Sequence, residues 1–235
     1  VITLSQGTYE IDIVDHYTND GETITVYDET SIDFTNEKHT DKENKVFVGW
    51  KKSDGQYAAN GETFAKGEVI TAIYVDVSAD NYKVEEAQIR TDGVPALRFV
   101  VKQDKATVSQ IPNIIEQGII SLPTDTALGR HIFLDTPIVL EWQWDTDDKN
   151  NFSPKTTGET PQKIVAKNIL EESETEKRYT ACLTDISKDN YNTFYLARGY
   201  IKYTDYNGIE NVVYTETAQN SLYKLAAEAK ANGTV

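Results

Sequence analysis

Short runs in which apolar and polar residues alternate recur along this chain, each closed by a turn containing Asn, Asp or Gly. Side chains of a strand point alternately to opposite faces, so such runs bury one face of an antiparallel sheet and wet the other. Residues 9–14 and 23–27 carry the pattern, with Asn19-Asp20-Gly21 as a turn between them. A charged, loop-like stretch (35–45) leads into the run 46–50, and Asp54-Gly55 then turns the chain toward Tyr57. The near-continuous apolar run 69–75 predicts a central strand. The 14 tyrosines and the many Thr, Val and Ile residues suit a pleated, half-buried surface.

The short polar stretch 78–82 sets the expected domain boundary, giving units of 1–79 and 80–235. The second unit opens with strands at 87–91 and 96–102 around Asp92-Gly93-Val94-Pro95. A short helix over 105–111 is stopped by Pro112. Strands follow at 118–123, 136–144 and 179–186, with a turn-rich loop over 145–162. Residues 194–203 and 212–215 predict a hairpin around Asp205-Tyr206-Asn207-Gly208. The last 20 residues change period. Leu222, Leu225, Ala226 and Ala229 fall on one helical face, which predicts a helix over 216–231, stopped by Gly233 and packed on a sheet. The expected fold is mainly β: a β-grasp-like N-terminal module, then a β-sandwich-like domain with a C-terminal α-helix.

Composition narrows the partners. The 235 residues are 39% hydrophobic, enough for packed cores. A net charge of −15 disfavours nucleic acid and anionic lipid, which need clustered Lys and Arg. Neutral polysaccharides, basic proteins and divalent cations remain. No segment reaches the roughly 18 apolar residues of a membrane span, so no membrane insertion is expected. Cys182 is the single cysteine, which rules out an intrachain disulfide and is expected as a small buried hydrophobe. With no Met and no signal peptide, the chain reads as a processed or excised piece of a larger exported protein.

The stretch 46–57 (Val-Phe-Val-Gly-Trp-Lys-Lys-Ser-Asp-Gly-Gln-Tyr), then Gly61, then Thr71-Ala72-Ile73-Tyr74-Val75, resembles the B-repeat of bacterial internalins. That family shows Phe-x-Gly-Trp, a Gly-containing turn, Tyr, a further Gly and a closing strand near Thr-Leu-Tyr-Ala. The closing strand here departs slightly from that wording. The resemblance spans residues ~20–78 and implies a small β-grasp-like spacer or adhesion module of an exported protein. Gln88-Ile89-Arg90-Thr91, Gly93, Leu97-Arg98-Phe99, the run 196–203 and Ser221-Leu222 are similar to a C-terminal module of clostridial and cellulosome-type surface proteins. Such modules accompany B-repeats, sugar-binding modules or dockerins. No catalytic residues carry over from them, and no dockerin calcium loop is present here. The resemblance implies a secreted or cell-surface location in a Gram-positive bacterium, with other modules of the same parent protein as partners.

Candidate chemistry centres on Trp142 and Trp144, which share one face of the expected strand 136–144. Two adjacent indoles make a platform for sugar rings. Ile138 and Leu140 share that face, so a core stripe ending at the rim is the competing reading. Asp145, Asp147 and Asn150 follow in the adjacent loop and supply hydrogen-bonding groups beside the platform. The same oxygens suit calcium, but the loop lacks the glycine and distal glutamate of an EF-hand and Lys149 intrudes. His16, His39 and His131 are too scattered for a zinc site, and no Gly-x-Ser-x-Gly elbow occurs. Arg90 and Arg98 are expected to pair with buried acids. Arg198 and Lys202, with Tyr200, are expected on a solvated sheet face. The expected function is non-catalytic, without a cofactor: binding of a polysaccharide or cell-surface glycan, or adhesion. A pure spacer and a protein-binding adhesin are the alternatives.

Overall fold

The computed structural model describes residues 3–5, 8–10, 15–125, 138–140 and 161–233. The chain forms two compact units, Val1–Asp76 with Thr204–Asn211, and Val77–Tyr203 with Val212–Val235. Among the described residues the fold is mainly β, built of antiparallel sheets with a helix near the C-terminus.

In the first unit β1 (Thr3–Ser5) pairs with β2 (Thr8–Glu10). Strands β3 (Tyr17–Asn19), β4 (Thr23–Val26), β6 (Lys45–Lys52) and β8 (Val69–Asp76) form a sheet of order β3-β4-β8-β6. The apolar run 69–75 is thus an interior strand. Short strands β5 (Thr30–Ser31) and β7 (Thr63–Phe64) pair beside it. The Asn-Asp-Gly signal forms the β3–β4 turn: Gly21 has φ +87°, and the Asp20 carboxylate accepts from the amides of Glu22 and Thr23 at 2.8 and 2.6 Å.

Strand β6 carries a bulge. Phe47 faces Tyr74 and Gly49 faces Ile73 across the ladder, leaving Val48 unmatched. One extra residue inverts the inside–outside alternation, so Phe47 and Trp50, three apart, enter the same core. Trp50 is 1% exposed. Phe34 stacks against it at 6.4 Å, Phe47 meets it edge-on at 5.7 Å, and Phe64 meets Phe34 edge-on at 6.1 Å. Ile24, Ile32 and Ile70 complete this core. Burial of each such side chain stabilises by roughly 1.5–3 kcal/mol.

The second unit is a sandwich. Strands β9 (Tyr82–Arg90), β10 (Ala96–Asp104), β13 (Asn168–Glu172) and β14 (Glu176–Thr184) form one sheet, of order β13-β14-β10-β9. Strands β11 (Ile114–Pro123), β12 (Gln162–Val165), β15 (Tyr195–Thr204) and β16 (Glu210–Tyr214) form the other, of order β12-β11-β15-β16, with β17 (Ala218–Asn220) on β15. Leu97, Phe99 and Val101 of β10 alternate inward, opposite Leu183, Ala181 and Tyr179 of β14. On the outer face Arg178 pairs with Glu85 and Glu171 at 2.8 and 2.9 Å. Gly199 lets the second sheet approach the first: a Cβ there would sit 3.1 Å from Tyr82 Oη and 3.2 Å from Val101. The buried hydroxyls of Tyr82 and Tyr179 lie 3.3 Å apart, and Tyr179 donates to the Gly118 carbonyl at 3.4 Å.

Several expectations need correction. Tyr200 is fully buried and donates to Glu116 at 2.8 Å, so its face of β15 is not solvated. Ile138 and Leu140 pack on that face with Leu196 and Ile120, which covers the second sheet on both sides. Arg198 donates to the carbonyls of Thr215 and Ile138 and lies 4.6 Å over the Tyr214 ring; burial pulls its pKa down. Arg90 donates to the Val94 carbonyl and Arg98 to Gln88 rather than to acids. Cys182 is half-buried, because it alternates onto the outer face of β14. Helix α1 spans only Lys105–Val108, with Asp104 as its cap. The final helix, α2, spans Leu222–Ala231. It begins at Leu222 because Ser221 Oγ caps the Lys224 amide at 3.2 Å while β17 pairs with β15 just before it. Residues 138–140 are not a strand, and the rest of the expected strand 136–144 lies outside the described residues.

Candidate functional site

Trp142, Trp144, Asp145, Asp147 and Asn150 lie outside the described residues, as does His131. Among the described residues, the second unit carries an apolar groove and the first unit a polar cleft.

The larger is a groove of about 440 Å³ in the second unit. The β9–β10 hairpin lines it with Ile89, Val94 and Pro95, and α2 lines it with Leu222, Tyr223 and Ala226. Ile186 and Tyr191, from the segment between β14 and β15, complete the lining over Leu183 and Ala96. Leu183 and Ala96 are buried, which places them at the base. The rim is open: Tyr223 is 64% exposed, Val94 53% and Tyr191 41%.

Local chemistry holds this shape. Gly93 turns the hairpin at φ +77°, and Arg90 grips the Val94 carbonyl through Nε and Nη2 at 3.0 and 2.6 Å. The Tyr223 amide donates to the Tyr191 carbonyl at 2.9 Å, which ties the start of α2 to the turn Lys188–Asn190 and the residue after it. The helix presents Leu222, Leu225 and Ala229 half-buried, whereas Ala226 stays exposed in the groove. The helix does pack along β9, but it leaves this side uncovered. Apart from Asp185, whose carboxylate accepts from Thr184 Oγ1 at 3.0 Å, the lining side chains are apolar or tyrosyl. Such a groove gains affinity from burying apolar or aromatic surface and offers few hydrogen bonds for selectivity.

The second surface, a cleft of about 370 Å³ in the first unit, is polar at its mouth and aromatic at its base. Several polar groups there are engaged with neighbouring residues, whereas His39 Nδ1 is buried without a hydrogen-bond partner. Glu37 accepts from Tyr17 Oη at 2.6 Å and Asn19 Nδ2 at 2.7 Å, and the Glu37 carboxylate beside it pushes the Tyr17 phenol up to about 12. Asp205 accepts from the amides of Asn207 and Ile209 and from Asn211 Nδ2 at 2.9, 3.0 and 2.9 Å. Burial nevertheless raises the Asp205 carboxyl above its usual range. The His39 ring stacks on Phe47 at 4.2 Å, with Nδ1 3.9 Å from Asp41. Among the described residues no group of three His, Cys, Asp or Glu side chains is placed to hold a metal ion.

The groove residues were not singled out by sequence. Their signal is apolar side chains inside turns, where polar ones are the rule: Val94-Pro95 after Asp92-Gly93, and Tyr191 within Lys188-Asp189-Asn190 and Asn192. No family model, curated protein or solved structure matches the chain.

Proposed function

We propose that this chain is a non-catalytic module of a Gram-positive cell-surface protein and that it works in adhesion, taking an apolar or aromatic segment of a ligand into the groove beside α2. The groove itself carries this reading: an open apolar trough with two exposed tyrosines at its rim, on a surface otherwise rich in charge. Its sparse polar lining favours a protein segment over a sugar, which needs convergent hydrogen bonds. Glycan binding is the second reading and rests on Trp142, Trp144 and the loop after them. The internalin-type and clostridial resemblances support the surface location, and a surface of net charge −15 favours basic partners.

The test is a binding panel on the full chain, with insoluble polysaccharides and extracellular-matrix proteins as ligands. Variants Tyr223→Ser and Val94→Asp probe the groove, and Trp142→Ala with Trp144→Ala probe the indoles. The proposal predicts protein binding weakened about tenfold or more, or ~1.4 kcal/mol, by either groove variant and unchanged by the tryptophan variants. Polysaccharide binding lost in the tryptophan variants moves the function to the second reading. No binding across the panel leaves a spacer.

A further inference from the structure

We infer that the outer edge of β6 and the adjoining Tyr57-Ala58 form a docking site for the turn at residues 205–209, and that the first unit is completed only when this turn arrives. The bulge at Val48 and the edge position of β6 leave backbone groups that no strand pairs. The Ala58 amide donates to one of them, the Trp50 carbonyl, at 3.0 Å, and the turn supplies further partners. The Tyr206 amide donates to the Val48 carbonyl at 2.9 Å. Asn207 Oδ1 accepts from the Trp50 amide at 2.5 Å, and Asn207 Nδ2 donates to the carbonyls of Trp50 and Ala58 at 3.0 and 2.6 Å. One carboxamide thus stands in for a peptide unit of a missing strand. With the turn in place Val48, Trp50 and Ala58 are almost fully buried, so removal of the carboxamide alone strands their backbone groups.

The fit is steric as well as polar. Gly49 has φ +142°, and a Cβ there would sit 2.8 Å from Asn207 Oδ1 and 3.2 Å from the Tyr57 ring. Tyr206 stacks on Tyr57 at 4.2 Å and 21°. Ile209 packs onto the core of Phe34, Phe47 and Trp50. Asp205 folds the turn by accepting from the amides of Asn207 and Ile209, and Gly208 takes φ +87°. The contact spans 157 residues of sequence, so its closure comes late in a chain that emerges N-terminus first. The first unit is thus closed only after residues 77–203 of the second have been made.

Native-state hydrogen exchange on the full chain tests this, with the Asn207→Ala and Tyr206→Ala variants. Amides of β6, β8 and Ala58 report on the first unit, and those of β10 and β14 serve as an internal reference. The loss of bonds to buried backbone in Asn207→Ala is expected to speed exchange in the first unit about thirtyfold or more, with β10 and β14 changed by less than about threefold. Tyr206→Ala is expected to act in the same direction and less strongly. Unchanged protection in β6 and β8 in both variants overturns the inference. So does an equal loss in both units, which would make the turn a determinant of the whole fold.

Discussion

The two units close their cores in different ways. The second unit does so with long strands: β10 matches β14 residue for residue from Ala96–Thr184 to Asp104–Glu176, while the β9–β10, β11–β15 and β13–β14 ladders each carry one register shift. Its difficult elements, the hydroxyls of Tyr82 and Tyr179, bond to each other and to one backbone carbonyl inside the sandwich. The first unit has shorter strands, a bulged edge and an aromatic core. It finishes that edge with an asparagine side chain from residues 204–211. Long ladders absorb a bulge and stay paired on either side of it, whereas a bulge on a short edge strand that re-aims two rings into a core exposes backbone that something else must satisfy.

The largest expected effects break one core at a time. Trp50→Ala should cost about 3–5 kcal/mol in the first unit, and Phe99→Ala should cost a similar amount in the second. Each loss should appear first in the amide exchange of its own unit. The hydroxyl chain of the second unit gives a smaller, asymmetric effect. Tyr179→Phe strands the Tyr82 hydroxyl in a dry site and should cost about 1–3 kcal/mol, while Tyr82→Phe removes only the end of the chain and should cost about 1 kcal/mol. Equal costs in chemical denaturation would show that another partner satisfies Tyr82.

Alkali tests both units through their phenols. Burial raises Tyr82 and Tyr179, and Tyr74 in the first unit is pushed up to about 12, chiefly by desolvation. A tyrosine with a raised folded pKa contributes stability that is fully present below the unfolded value of about 10 and is lost as pH rises through the folded one. Tyrosinate absorbance should therefore lag in the folded chain and then rise with cooperative unfolding. In acid the sign reverses. Arg178 holds Glu85 below its usual range, and Lys163 with Tyr200 does the same for Glu116; that stabilisation is present at neutral pH and is lost as pH falls through the lowered values. The smallest effect is expected from Arg178→Ala on the outer face, a minor loss that about 1 M salt removes.

Much of this fold was legible in the sequence. The runs at 46–50, 69–75 and 96–102 fell on strands, as did 179–184 of the run 179–186, because short apolar runs rich in Val, Ile and aromatic residues and bounded by turns leave a chain few alternatives. The Asn-Asp-Gly turn and the hairpin around residues 205–208 were legible for the same reason. The destination of that hairpin turn was not. Nothing local in Asp205-Tyr206-Asn207-Gly208 distinguishes a solvated turn from one whose carboxamide bonds to backbone 157 residues away. The solvated face expected for Tyr200 failed because alternation cannot show that a distant segment, 138–140, covers it. The groove was hidden because its members come from three separate places in the chain, spread over strands, turns and a helix. The tryptophan pair and its acidic loop lie outside the described residues.

The most direct test of the claim that a distant turn completes the first unit is a double-mutant cycle between Tyr57 and Tyr206, read from the stability of β6 and β8 amides in the full chain. The stacked geometry predicts that Tyr57→Ala and Tyr206→Ala are non-additive, with a coupling of roughly 0.5–1.5 kcal/mol. A coupling of zero would contradict the account and leave the first unit closed by its own strands.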